Sequence, residues 1–529
     1  MSRIVWVIAV MAAMTAGAEV KINLASRGKE DMTESFMTAV AKVKKAGKGT
    51  IVLKPGDYYF ASPVKSNVWV SNHDNPRPRQ IFIPIEGVTN LTVKCEKGDA
   101  RFVCDGNGIA LALIDTKRVA FEGVAFDYAR PFFSIHHIKN GKLDLDLEHY
   151  PSVVENGILF STGNGWREKQ GLCELFDKDT HQFRGSVWWN GAVEKAMPGH
   201  PDGTIAMTRS GFRPNPCVFL YRAETTLFER CGAYAAAGMG FLAQRSGNIC
   251  LDRWHTRGER PIALQADATH FSNCRGKVIV RNGVFEGMVD DAINVHSTSL
   301  KIVEKLGDDT MICRYMHKQS VGFEVFLPGE TLRFIKGATF EPGTEVKVVS
   351  ANMLSHDRVE IKVAQAIPSE YGVGDAVENA DWQPAVVFAK NEVRNSNPRA
   401  TLFTTPGKVV CENNLFENVA GQPIYFAGDA WNWYESGASR DVVVRGNTFR
   451  HCAFKSGRGM IQIEPAVHDL ANQKERYHRN ILVEKNTFED FRIPLVWARS
   501  CENVVLRGNK IVNGNEVMKL DRADVKLEK

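Results

Sequence analysis

The clearest pattern along the chain is a short apolar strand that returns at intervals. It reads VVFAKNEV at 386–393, VVCENNLF at 409–416, VVVRGNTF at 442–449, ILVEKNTF at 481–488 and VVLRGNKI at 504–511. Each copy has an apolar strand, two mostly polar residues, an Asn, a spacer and usually one more apolar residue. The Asn residues fall at 391, 414, 447, 486 and 509, in steps of 23, 33, 39 and 23. A unit near 23 residues, lengthened in places by a loop, predicts a parallel β-helix with coils about 4.8 Å apart. An Asn at a fixed turn position can hydrogen-bond along such a stack, and it tolerates left-handed backbone.

Weaker copies lie upstream, at VAFEGVAF (119–126), TLFERCGA (226–233), ICLDRWHT (249–256) and VIVRNGVF (278–285). Their equivalent positions are Val124, Cys231, Trp254 and Gly283, followed by Asn391, in steps of 107, 23, 29 and 108. Each long step is one coil plus about 85 residues, enough for a small inserted domain. Alternating strands in both long steps, such as RVEIKV at 358–363, indicate small antiparallel barrels or sandwiches. Residues 33–46 set Phe36, Val40 and Val43 on one helical face, a cap for the open end of the solenoid. The expected organisation is therefore all-β. Cap and first coils occupy 19–129, with an inserted β-barrel at 130–220. Coils with an acidic motif follow at 221–297, then a second barrel at 298–383 and C-terminal coils at 384–529.

Composition narrows the function classes only slightly. With 44% hydrophobic and 24% charged residues among 529, the chain is neither disordered nor a polytopic membrane protein. A net charge of +5 over this length implies no nucleic-acid partner. Residues 1–18 read as a signal peptide: Arg3, an apolar run from Ile4 to Met14, then Ala16-Gly17-Ala18. That run is too short for a bilayer span and no Cys follows it. The expectation is an exported protein, periplasmic or extracellular, without a membrane anchor. The eleven cysteines are scattered with no C-x-x-C pair and read mostly as small buried hydrophobes, although Cys95 and Cys104 could close a hairpin. No structural zinc spacing is present, and neither a metal nor another cofactor is expected.

The chemistry concentrates in ADATHFSNCRG (266–276) and GMVDDAINVHS (287–297), which hold Asp267, Asp290 and Asp291. Adjacent residues of a strand face opposite ways, so two useful neighbouring acids imply a turn or bulge. Carboxyls on adjacent coils suit glycoside hydrolysis. Spacing alone does not separate an inverting pair, about 6.5–9.5 Å apart, from a retaining one at about 5–5.5 Å. A calcium site or an Asx-rich turn would use the same residue types.

These motifs, with LFTTPGKVVCENNLF (402–416) and FAGDAWNWYESGASRDVVVRGNTF (426–449), resemble glycoside hydrolase family 110 over most of the chain. The resemblance implies a right-handed parallel β-helix with two inserted small β-barrels. It also implies an exo-acting, inverting α-galactosidase that releases terminal α-1,3-linked galactose, as from blood-group B or linear α-1,3-galactosyl glycans. By that likeness Asp267 is the general acid, and Asp290 and Asp291 position and deprotonate the water. Trp433 and Glu435 match an aromatic-x-Glu-Ser-Gly run and would cover and hydrogen-bond the sugar. His270, His296, Asn294 and Arg260 flank the acidic motifs and are candidate contacts to sugar or carboxylate, and Arg275 could hold a carboxylate ionised. Ser297 stands where the family pattern commonly has Gly, a difference expected at the pocket rim. The long solenoid flank is compatible with a homodimer. Two other readings share the fold, a polysaccharide lyase and a non-catalytic glycan binder. The lyase would want a basic proton acceptor, yet Lys is absent from 261–276 and 287–297.

Overall fold

The structure is a computed structural model describing residues 19–256, 258 and 260–528; the signal peptide expected at 1–18 lies outside them. Three ladders of parallel strands run along a solenoid. In the C-terminal coils the first joins Ala385–Ala389, Val409–Glu412, Val442–Arg445 and His478–Glu484. The next joins Glu392–Arg394, Leu415–Glu417, Thr448–Arg450 and Thr487–Glu489. The third joins Thr269–Ser272, Ile293–Thr298, Thr401–Phe403 and Ile424–Phe426. Strand alternation sends one row inward, where Phe388, Phe416, Phe449 and Phe488 stack at centroid spacings of 6.3, 5.0 and 4.8 Å.

The asparagine ladder joins these coils. Asn391, Asn414, Asn447 and Asn486 each give their backbone N–H to the Oδ1 of the next ladder Asn, at 2.9–3.0 Å. Their Nδ2 atoms donate to carbonyls of the neighbouring coil, Asn447 reaching Cys411 at 2.9 Å. The left-handed backbone belongs to the preceding residue, not to the ladder Asn as expected: φ is 56° at Lys390, 56° at Asn413 and 54° at Lys485. At two of these positions Gly446 and Gly508 take it without strain.

Helix Thr33–Ala46 closes the N-terminal end, with Phe36, Val40 and Val43 buried and Phe36 set edge-on against Phe60 and Phe102. The solenoid ladder passes over both insertions: Lys117–Glu122 pairs with Glu224–Glu229, and Arg275–Arg281 with Ala385–Ala389. Between the first pair lie a five-stranded and a three-stranded antiparallel sheet. Between the second pair, six strands from Leu300–Lys305 to Ala376–Asn379 form a closed barrel. All eleven cysteines are buried free thiols, Cys95 and Cys104 included. Among the described residues no helix is long and apolar enough to cross a membrane.

Candidate active site

The site lies on the outer side of the third ladder, at the turn that leads into it. Strands Thr269–Ser272 and Ile293–Thr298 bury Phe271 and Val295 in the core, so His270, Asn294 and His296 project the opposite way. Register pairs His270 with Asn294 and Ile293 with Thr401. Carried back to the preceding turn, it stacks Asp267, Asp291 and Arg399 in one column. Backbone bonds from Ala268 to Asp291 at 2.7 Å and from Ala292 to Ala400 at 2.9 Å hold that column. Asp267 is thus the stacking neighbour of Asp291, and Asp290 sits one residue aside in the bend.

Within the column, charge and burial separate the three acids. One oxygen of each lies within 4.8 Å of the others. Burial, then the charges of Asp290 and Asp291, hold the Asp267 carboxyl well above the usual carboxylate range, against the pull of Arg213 and Arg399. Burial also pushes Asp291 up to about 6, opposed by Arg399. Arg399 grips Asp291 with a two-pronged fork, Nε to Oδ1 and Nη2 to Oδ2 at 2.8 Å each. Burial works against that guanidinium, but Asp291 and Asp290 more than restore its charge. Asp290 keeps a looser hold on two arginines, 3.5 Å from Arg399 and 3.6 Å from Arg213. Its side chain is 25% exposed, whereas Asp291 is fully buried. Three clustered carboxyls could share a cation, but the two guanidiniums already supply positive charge at that point.

A cavity of about 140 Å³ opens beside Asp267 and Asp290, which both line it. A cavity of about 150 Å³ takes up one six-membered ring, so this volume is on the scale of one sugar rather than a run of residues. Asn294 lines it, and its buried Oδ1 has no hydrogen-bond partner among the described residues, leaving it free to accept from a sugar hydroxyl. One wall is the loop carrying Trp433 and Glu435. Asp429 organises that loop by accepting the backbone N–H groups of Trp431, Asn432, Trp433 and Tyr434 at 2.9–3.2 Å. Trp433 packs against His317 of the barrel insert, ring centroids 3.9 Å apart and planes tilted by 34°, and remains 40% exposed. Opposite, Arg213 donates to Gln319 at 2.8 Å, and Asp74 accepts from the backbone N of Arg213 and from Gln319 at 2.7 Å each. An N-terminal loop and both insertions thereby meet at the cavity.

In the wall itself, His270 Nδ1 lies 2.6 Å from Asp267 Oδ2, and its Nε2 lies 2.8 Å from His296 Nε2. Burial, then the neighbouring His296 and His73, push His270 well below the usual imidazole range.

Of the residues expected in the site, Asp267, Asp290, His270, Asn294, Trp433 and Glu435 line the cavity. Asp291 and His296 stand behind them. Arg260 is a correction: its guanidinium is taken by Asp127 and the Tyr234 carbonyl, on the opposite side of the coil turn. Arg275 likewise serves structure, pairing with Glu224 and covering Trp382. Ser297 is not at the rim; it is buried and its hydroxyl ties down the Trp382 carbonyl at 2.6 Å. Two functional residues were missed, Arg213 and Arg399. Arg399 was within reach, since the 108-residue step from Gly283 to Asn391 also leads from Asp291 to Arg399.

A family 28 exopolygalacturonase from Yersinia enterocolitica superposes with a TM-score of 0.46 at 11% identity, over 97% of this chain and 79% of that one. The family model described as GLAA-B beta-barrel domain II matches residues 310–377, within the barrel insert. An alpha-1,3-galactosidase B from Akkermansia muciniphila is 36% identical over 92% of this chain, which spans 65% of that protein's length. An alpha-1,3-galactosidase B from Phocaeicola vulgatus is 33% identical over 92% of this chain and 90% of its own length. Relatives this similar, matched from the solenoid coils through the inserted barrel, establish that the chain belongs to glycoside hydrolase family 110.

Proposed function

We propose that the protein is an exo-acting α-1,3-galactosidase that inverts configuration by direct displacement. The observation that carries this reading is the unequal pair lining the cavity: Asp267, buried and with its carboxyl pushed well above the usual range, stands near Asp290, which two arginines keep beside the cavity. The relatives named alpha-1,3-galactosidase supply the substrate class. A cavity of single-sugar size supports removal of one terminal residue at a time.

In this reading galactose fills the cavity with Trp433 against its apolar face and Glu435 and Asn294 taking its hydroxyls. Asp267 gives its proton to the glycosidic oxygen as the C1–O bond breaks. Asp290 holds a water on the other side of C1 and takes its proton as the new C1–O bond forms. Asp291 touches neither; it fixes Arg399, whose guanidinium reaches Asp290. Residues 1–18 fit export, which would bring the enzyme to extracellular glycans.

One observation favours a second reading. The acids approach within 4.8 Å at their nearest oxygens, while inverting carboxyls stand about 6.5–9.5 Å apart and retaining ones about 5–5.5 Å. Double displacement through a galactosyl ester of Asp290 would use the shorter gap. The first test is galactose release from Gal-α1,3-Gal by the purified protein, beside an Asp267→Asn control. Release by the wild type and a loss of at least about 100-fold in the control are expected; no release from this or a fucosylated α-1,3-galactoside would overturn the reading.

A further inference from the structure

The two histidines behind Asp267 form a continuous file. Starting at Asp267 the contacts are Asp267 Oδ2 to His270 Nδ1 at 2.6 Å, His270 Nε2 to His296 Nε2 at 2.8 Å, and His296 Nδ1 to the Ser297 carbonyl at 2.9 Å. All three side chains are at least 97% buried, so each contact must be a true donor–acceptor pair. The last of them can be read only one way, because a carbonyl oxygen accepts and never donates.

That end contact sets the rest of the file. His296 carries hydrogen on Nδ1, so in its neutral form Nε2 is an acceptor. His270 must then donate from Nε2, and because burial and the neighbouring His296 and His73 oppose its charging, its Nδ1 is a bare lone pair facing Asp267. Only a protonated Asp267 can satisfy that contact. The same three protons have two other complete arrangements. One makes His270 an imidazolium that donates to an ionised Asp267 and to His296 Nε2, a state that burial and the neighbouring His296 and His73 oppose. The other moves the charge to His296. Asp267 is then a carboxylate, His270 donates to it from Nδ1, and His296 is an imidazolium donating from both nitrogens. Glu435 is placed for that state, its Oε1 3.6 Å from His296 Nε2. The other charged or titratable groups facing the two rings are His73, Arg213 and Arg399, and His73 is already engaged with the Ser71 carbonyl and the Met239 N–H.

We propose that His270 and His296 form a proton wire that holds Asp267 in its acid form and reloads it from the Glu435 side after each turnover. The inference rests on the galactosidase reading, in which Asp267 loses one proton per bond cleaved. When the glycosidic oxygen takes that proton, the file is left one short, with two lone pairs opposed at either Asp267–His270 or His270–His296. One proton entering at His296 Nε2 removes the conflict. A shift through His270, in at Nε2 and out at Nδ1, then restores the acid. Asp290, which took a proton from the water, releases one to solvent, so the cycle closes with no net change. His270 and His296 are thus positioning residues that act through Asp267, and Glu435 serves the wire as counter-ion as well as lining the cavity.

His296→Gln tests the wire, since its amide oxygen can still accept from His270 Nε2 but carries no proton to pass on. Rapid mixing with Gal-α1,3-Gal should show one galactose per active site released at the wild-type rate. Steady turnover should then be slower by about 10-fold or more. A first turnover slowed as much as the steady state would mark His296 as merely structural, and unchanged turnover would show that Asp267 reloads by another route; either overturns the wire. Independently of activity, 15N spectra of histidine-labelled wild-type protein at neutral pH should show His270 as the Nε2–H tautomer and His296 as the Nδ1–H tautomer. Hydrogen on His270 Nδ1 with His296 neutral would overturn the proposal even if galactose is released. A wild-type protein that releases no galactose would overturn the catalytic reading, while the tautomers would still decide whether the file is ordered as described.

Discussion

Asp291 presents both carboxylate oxygens to the Nε and Nη2 of Arg399, at 2.8 Å each, in a pair that stacks across two coils of the solenoid. Its neighbour Asp290 has no such fork and faces the cavity instead. Two consecutive aspartates thus divide the work that a single residue type could do: one anchors a guanidinium in the wall, and the other, in the proposed mechanism, meets the reacting water.

This division predicts different failures for the two. Asp290→Asn should cut turnover by more than about 100-fold with little loss of stability. Azide, taking the place of the water, should restore product as the β-galactosyl azide. Asp291→Asn strips a fully buried partner from Arg399, and breaking such a pair costs about 3–5 kcal/mol. Arg399 is 27% exposed toward the cavity, so the lower end of that range is expected. Thermal melting of both variants checks this; equal melting losses would contradict the assignment.

The pH profile should be a bell whose two limbs have different owners. As pH falls through about 6, Asp291 is protonated and its pair with Arg399 is lost, so kcat/KM declines on the acid side. The alkaline limb belongs to Asp267, whose raised pKa keeps it an acid until well above the usual carboxylate range. Arg399→Met should move the acid limb, and an unmoved limb would remove Asp291 from that role.

Asp267 also carries a stability signature. Below its unfolded pKa of 3.8 the group is protonated in both states and makes no difference. Above it, the unfolded chain releases a proton that the folded protein keeps. About 1.4 kcal/mol of stability is lost per pH unit until the folded pKa is passed. Asn keeps a donor for His270 and removes the ionisation. Asp267→Asn should therefore raise the melting temperature by an amount that is near zero at pH 4 and grows toward pH 8. A gain independent of pH would mean that Asp267 is ionised in the folded protein.

Much of this could be read from sequence, for a physical reason. A solenoid repeats one turn, so the 23-residue step from Asn391 to Asn414 fixes the register of everything between them. Arg399 belongs to that register. Arg213 does not: it leaves the first insertion on a nonperiodic stretch, and only the packing of Asp74 and Gln319 brings it to Asp290. Arg260 misled because flanking a motif in sequence is not facing it in space; its coil turns it toward Asp127. Two adjacent acids in one bend likewise gave no sign of which would face the cavity.

The ladder itself is testable. Asn447→Ala would take the side-chain partners from the Cys411 carbonyl and the Asn414 backbone N–H in a dry interior, while Asn486 Oδ1 keeps the backbone N–H of position 447. At about 1–3 kcal/mol per stranded group, a loss of several kcal/mol and a clear drop in the melting temperature are expected. Activity per folded molecule should persist, because the ladder runs along a different ladder of strands from the site.

The measurement that bears most directly on the central claim is proton NMR of Gal-α1,3-Gal hydrolysis, recorded within minutes of mixing and before mutarotation equalises the anomers. Direct displacement between Asp267 and Asp290 predicts β-galactose as the first product, with the α anomer appearing only later. α-Galactose first would contradict it, and would show that the 4.8 Å gap is crossed by a covalent galactosyl–Asp290 intermediate.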